Sequence, residues 1–332
     1  MATIKDIADR LGVAVSTVSK GLNGAPDISE ELRQLVLDTA VEMGYRTKKM
    51  RKEEHKKLAI LVENMEYEHE DDFGYDLILG FRQMAYRDNW AVNVVPVTPR
   101  LMSREKYNTY MLKHGYLGAF AMGFALKDNW MGQIAHTDIP TALLDNYVPL
   151  NQRVGYVGTD SGEGIEMAVR KLYDEGHRKI AFLNGSPNSW VSEQRQTAYI
   201  NALKEVGLKP DSKLTAYGYY VADSARYHVP GMLKEGATAI LCGNDLIASG
   251  VYEVCKSEGL KIPDDISVIG FDDLPIASEL TPQLSTIRQD RTELGKCAYF
   301  TLNSLIHKVS ISKTMLRPQF IERGSVGTAK SK

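Results

Sequence analysis

Between Thr3 and Asn23 the chain sets apolar residues at helical spacing, stops at a glycine and begins again, which restricts what can form there. Ile4, Ile7, Ala8 and Leu11 fall at i, i+3, i+4 and i+7, one stripe of a short helix opened by Thr3 as N-cap. Gly12 ends it. A second short helix runs from about Val15 to Leu22, with Val18 and Leu22 inward and Ser16, Thr17, Ser19 and Lys20 outward. Two helices joined by a tight glycine turn, the second carrying small polar and basic groups, read as a helix-turn-helix. After the loop Gly24, Ala25, Pro26, Asp27, Ser29 caps a third helix with Glu30 and Glu31 in its first turn, where the helix dipole favours acid. Its stripe is Leu32, Leu35, Val36, Thr39, Ala40 and Met43, and Gly44 closes it. Residues 1–45 are therefore expected to be a small all-α head.

The residue-level match goes further than the pattern. The run Thr3, Ile4, Asp6, Ile7, Ala8, Gly12, Val13, Ser16, Thr17, Val18, Ser19, Leu22, Asn23, Gly24 closely resembles the DNA-binding head of the lactose-repressor (LacI/GalR) family of bacterial transcription regulators. The resemblance implies that Val15, Ser16 and Lys20 face base edges in the major groove. It puts Thr17, Ser19 and Asn23 near phosphates, with Thr3 in the same DNA-binding set.

Charge is modestly uneven. The chain carries a net charge of −2; residues 1–57 hold eleven Lys/Arg against nine Asp/Glu, or +2, leaving −4 for the rest. The excess sits in residues 46–57, a basic linker in which Lys48, Lys49 and Arg51 are expected to attract phosphate. Here the chain departs from its family. Relatives place a proline and an asparagine where Thr47 and Lys48 stand, then a hinge helix whose leucine wedges into the minor groove. That leucine is Glu54 here, and an alanine is Arg51.

From Leu58 onward short apolar runs alternate with helical stripes. Strands are expected at Leu58–Val62, Ala91–Val97, Tyr116–Met122, Thr141–Leu144, Lys179–Leu183, Lys213–Tyr217, Ala239–Cys242 and Ser267–Phe271. Helices such as Tyr75–Asp88, Glu163–Glu175, Gln194–Val206 and Leu246–Glu258 join them. Apolar strands joined by helices make parallel, doubly wound sheets, and roughly 270 residues are too many for one such sheet. Two α/β lobes follow. The resemblance extends to this part through Val157–Asp160, Gly176 with His177, Asn244 with Asp245, Gly270–Asp273 and Leu284–Gln289, and implies a type I periplasmic-binding-protein-like core over 58–323. By that analogy one lobe comprises about 58–157 and 288–311 and the other about 158–284 and 312–323. The chain crosses near Val157, Leu284 and Ile311, and 324–332 is a frayed tail.

Ligands in open parallel sheets bind beyond the carboxyl ends of the strands. Glu63, Asn64, Phe124, Asp145 and Asn244 hold such positions, and carboxylates and amides suit sugar hydroxyls. The resemblance adds Asp272 and Arg195 as residues that hold effector hydroxyls, and Phe73 at the cleft mouth. Trp190 and Tyr219 are further aromatics that could stack on a sugar ring. Asp160, Asp245 and Asp273 are expected to be helix caps.

Other chemistry is not readable. Cys242, Cys255 and Cys297 have neither CxxC spacing nor a disulfide framework. The acidic run Glu66–Asp72 around His69 is irregular and reads as a solvated loop rather than a metal site. Gly162 and Gly164 mimic a dinucleotide fingerprint, but Met167 stands at the third glycine position. No enzyme, cofactor or metal is expected. No apolar run approaches the roughly 18 residues of a membrane span, and the N-terminus has no apolar signal segment, so a cytoplasmic protein is expected. The function implied is a transcriptional repressor, a homodimer on a near-palindromic operator whose affinity is changed by a small sugar between the lobes. Alternatives are a global catabolite-type regulator answering to a phosphoprotein partner, and a non-regulatory sugar-binding protein.

Overall fold

The computed structural model describes residues 2–45 and 56–330. In the head, α1 spans Ile4–Leu11, α2 Val15–Asn23 and α3 Glu30–Glu42. A reciprocal cap fixes the first end: Thr3 Oγ1 accepts from the Asp6 amide at 3.2 Å while Asp6 Oδ2 accepts from the Thr3 amide at 2.7 Å. Gly12 (φ +65°) and Gly24 (φ +69°) end α1 and α2 in the left-handed region that glycine enters without strain. Ile7, Ala8, Val18, Val36, Leu37, Ala40 and Tyr45 form the head's core.

Leu35 does not join it. It is 51% exposed, and Leu37 is buried in its place. The reason is a second partner: α3 also lies against the helix Tyr107–His114, whose Leu112 belongs to the same apolar cluster. Thr109 donates to Asp38 Oδ1 at 2.6 Å, and the Lys113 ammonium stands 3.6 Å from Glu30.

The remainder folds into two six-stranded sheets. The first has the order β11-β5-β4-β3-β1-β2 and is wholly parallel, with β1 Lys57–Val62, β2 Ala91–Pro96, β3 Tyr116–Met122, β4 Thr141–Leu144, β5 Val154–Thr159 and β11 Lys313–Leu316. The second has the order β12-β10-β9-β8-β6-β7, with β6 Ile180–Asn184, β7 Thr215–Tyr217, β8 Ala239–Cys242, β9 Ser267–Asp272, β10 Ser285–Arg288 and β12 Gln319–Ile321. Only β12 runs antiparallel to its neighbour. Period-two alternation feeds a core on each face: Leu58, Ile60 and Val62 of β1 enter one cluster, Ala59 and Leu61 the other. The helices Phe73–Arg87 and Arg291–Ile306 cross at backbone contact, where a Cβ on Gly80 would lie 2.0 Å from the Thr292 carbonyl. Among the described residues no helix is long and apolar enough to cross a membrane.

The chain passes between lobes after Thr159, after Arg288 and after Leu316. The crossings expected at Leu284 and Ile311 therefore fall later, because β10 pairs with β9 in the second sheet and β11 with β5 in the first. Nor is the segment from Gly324 to Lys330 frayed. Ser325 is fully buried, donating to the Val268 carbonyl at 2.6 Å and accepting from the Ser285 amide at 2.8 Å, and the Ala329 amide donates to the Glu175 carbonyl.

Candidate functional site

Two regions place sequence-predicted residues together. On the head, Val18 and Gly21 of α2 are buried, Gly21 because a Cβ there would already lie 3.1 Å from Val36. That sets the rotation of the helix and leaves Val15, Ser16, Lys20 and Asn23 exposed, with Thr17 and Ser19 half-buried. Asn23 folds back, its Nδ2 donating to the Ser19 carbonyl at 2.7 Å. Lys20 is hydrogen-bonded and ion-paired with Asp27. Thr3 is exposed, its side chain held in the cap of α1. Lys48, Lys49 and Arg51 lie outside the described residues.

The second region is where the strand ends of both sheets meet. Arg195, 2% exposed, projects from the first turns of the helix Trp190–Glu205. Its Nε donates to Ser161 Oγ at 3.2 Å and its Nη1 to the Gly243 carbonyl at 2.7 Å, and its guanidinium lies 3.6 Å from the Phe271 ring centroid. Asp272 ends β9 with φ +107° and accepts from Gln289 Nε2 at 2.7 Å. Asp145 directly follows β4, on the other lobe, with φ +50°; the Tyr156 hydroxyl approaches it at 3.4 Å. Gly158 makes room for both, since a Cβ would stand 2.5 Å from Asp145 Oδ1. Burial pushes the Asp145 and Asp272 carboxyls up to about 6, against the pull of the Arg195 guanidinium on each. The three groups thus share one field across the lobes. Beside Asp272 the buried Gln289 Oε1 has no hydrogen-bond partner.

Aromatic contacts join the lobes here. The Trp190 ring lies 5.1 Å from that of Tyr156 and 5.9 Å from that of Tyr147, the Lys313 ammonium stands 5.5 Å from the Trp190 ring centroid, and the Leu126 amide donates to the Asn188 carbonyl at 3.0 Å.

Other expected residues have contacts of their own. Asn244 caps the helix Asp245–Ser257, its Oδ1 accepting from the Ile247 amide at 2.8 Å, so its acceptor is already committed. Phe124 is buried among Trp130, Met131 and their neighbours, and Phe73 packs under the first sheet. Tyr219 is 58% exposed, and Asn64 is exposed. Glu63 is buried, and burial, helped by Asp128, pushes its carboxyl up to about 7. Asp160 does cap its helix, but Asp245 and Asp273 are not caps. Asp245 is fully buried and accepts from Thr286 Oγ1 and the Leu274 amide; Asp273 pairs with Arg288 and Arg323. Gln289, Tyr156 and Tyr147 were not anticipated. The signal for Gln289 was its place at the end of the Leu284–Gln289 run; Tyr156 depended on reading β5 as a strand.

Comparison with known proteins agrees with this architecture. Residues 3–48 match the family model described as bacterial regulatory proteins, lacI family, and residues 169–326 match a periplasmic binding protein-like domain. A ribose operon repressor of Haemophilus influenzae is 28% identical over 310 residues, 91% of each chain. Among solved structures, a transcriptional regulator CelR–cellobiose complex superposes with a TM-score of 0.74 at 21% identity, covering 98% of this chain and 100% of that one. A lac repressor dimer bound to operator and the anti-inducer ONPF gives 0.71 at 23% identity, covering 98% and 99%. With a head, a two-lobed core and a relative matched nearly end to end, the chain belongs to the lacI family of bacterial regulatory proteins and is a DNA-binding transcriptional repressor of that family.

Proposed function

We propose that this repressor binds a near-palindromic operator as a homodimer and that a small carbohydrate seated between its lobes changes its operator affinity. The observation that carries the effector reading is the convergence of Asp145 from one lobe with Arg195 and Asp272 from the other, beside the unpartnered Gln289 Oε1. Such a set of acceptors with one guanidinium suits a ligand dense in hydroxyls, because each hydroxyl both donates and accepts. The names of a ribose operon repressor and of a cellobiose complex among the similar proteins support the same class. On the head, Val15, Ser16 and Lys20 face base edges, and Thr3, Thr17, Ser19 and Asn23 lie near phosphates, with Lys48, Lys49 and Arg51 adding phosphate contacts from the linker. The operator-bound lac repressor dimer supports two heads acting together.

The test is a thermal-shift screen of full-length protein against mono- and disaccharides, followed by calorimetry on any hit. A ligand at about 100 times its Kd stabilises by about 2.7 kcal/mol, a resolvable rise in Tm. Asp272→Ala removes a charged acceptor worth about 1.5 to 3 kcal/mol and so weakens the hit by about 10- to 100-fold, with operator binding retained in the absence of sugar. Unchanged sugar affinity in Asp272→Ala would remove the cleft from the reading. Silence across the whole panel would remove the carbohydrate.

A further inference from the structure

The charge on the head is not that expected of a nucleic-acid binder. Residues 2–45 carry four basic side chains against seven acidic ones, a net of −3. Three of the four cations already face acids: Arg10 meets Glu42 at 2.9 Å, Arg33 meets Glu30 at 3.6 Å, and Lys20 pairs with Asp27. Lys20 is the one cation on α2. Its partner lies outside that helix, in the loop that leads from Gly24 to the cap of α3, and both side chains are about half exposed to solvent, at 50% and 57%.

This pairing changes what the lysine can do. An ammonium has three N–H donors, and Asp27 engages part of that capacity while cancelling its charge. A phosphate approaching α2 gains little from a cation already neutralised, and meets a carboxylate. A base edge offering acceptors, such as guanine O6 and N7, can still take the remaining N–H groups in the geometry that the pair fixes. The Lys20 hydrogen bond holds the Asp27 carboxyl below the ordinary carboxylate range, so Asp27 is ionised at neutral pH.

We propose that Asp27 is a positioning residue for DNA reading: it holds the Lys20 ammonium over α2 and suppresses its attraction to phosphate, so that Lys20 contributes to sequence discrimination and little to binding of random DNA. The proposal rests on the reading above that Lys20 faces base edges.

The experiment uses full-length protein and two labelled duplexes, one selected by the wild type from a random pool and one a scrambled duplex of the same composition, each titrated across a salt series. In Asp27→Asn the freed ammonium tightens binding to the scrambled duplex by about threefold and steepens its salt dependence by about one ion. The selected duplex gains less, so the specificity ratio falls. Asp27→Glu restores both the ratio and the salt slope, which a loss of loop structure would not allow. In Asp27→Asn with Lys20→Ala the gain on scrambled DNA disappears. Equal tightening on both duplexes, or an unchanged salt slope, overturns the proposal. If Lys20→Ala changes neither duplex, the base-edge reading fails and the proposal with it. If Lys20→Ala weakens the selected duplex while Asp27→Asn leaves the ratio intact, only the role of Asp27 fails.

Discussion

For Asp145 and Asp272, burial outweighs the nearby guanidinium, and the consequence is a proton linkage. Each carboxyl has an ordinary value of 3.8 and is raised to about 6 in the folded protein. The stability these protonated groups contribute is fully present below 3.8 and is lost as pH rises through about 6. A ligand whose hydroxyls donate to the two carboxylates favours their ionised forms and lowers both values. Effector binding between pH 4 and 6 is therefore expected to release protons. Calorimetry at about pH 5.5 in two buffers of different ionisation enthalpy measures this directly, and Asp145→Asn should reduce the release. Net uptake instead would mean that the ligand does not donate to these carboxylates.

Among the elements, α3 is the one whose packing the sequence misstated, and the error is instructive. A helical stripe can be read only against a single partner; α3 has two, the head's own helices and Tyr107–His114, some seventy positions away in sequence. That second contact turns Leu37 inward and leaves Leu35 exposed. Leu37→Ala should destabilise the head by about 2 to 5 kcal/mol. Denaturant melts followed by head-specific proteolysis measure that loss; operator binding should weaken while sugar affinity holds. A loss of stability no greater than that of Leu35→Ala would contradict the assignment. The same logic explains what was legible elsewhere. The long apolar strands β1, β3 and β9 and the caps Thr3, Ser29 and Asp160 announce themselves locally. β5 did not, because Gly155 and Gly158 interrupt its apolar run, each there to let another group come close. β10, β11 and β12 are short and take their sheet membership from crossings that local pattern does not encode. Of the proposed effector site, Asp145, Arg195 and Asp272 can be read from strand ends and resemblance. Gln289 and Tyr156, which meet Asp272 and Asp145, require the crossing points to be known, since their elements are brought together by topology and not by local pattern.

In the whole molecule, these parts matter only if the two lobes have more than one arrangement and the ligand prefers one of them. Moving an operator complex from mostly bound to mostly free requires a preference of about 3 to 5 kcal/mol. The head leans on the first lobe through Thr109, Leu112 and Lys113, so a change in how the lobes sit has a mechanical route to it. The arrangement seen here is held on one side by Trp190 against Tyr147 and Tyr156, two aromatic pairs worth about 0.5 to 1.5 kcal/mol each beyond their burial. Together they supply about 1 to 3 kcal/mol, which changes the ratio of this arrangement to one without these contacts by about 5- to 150-fold. Trp190→Ala should accordingly weaken effector binding within that range and reduce the response of operator affinity, while Tm falls little because Trp190 is only half-buried. Fluorescence gives an independent check. Trp90 and Trp130 are buried at 5% and 0% exposure in the apolar clusters of the first lobe, so a change in tryptophan emission on adding effector should arise from Trp190 and vanish in Trp190→Phe. An emission change that persists in Trp190→Phe would place the moving surface elsewhere, and an effector affinity untouched by Trp190→Ala would show that these rings pack equally well in both arrangements.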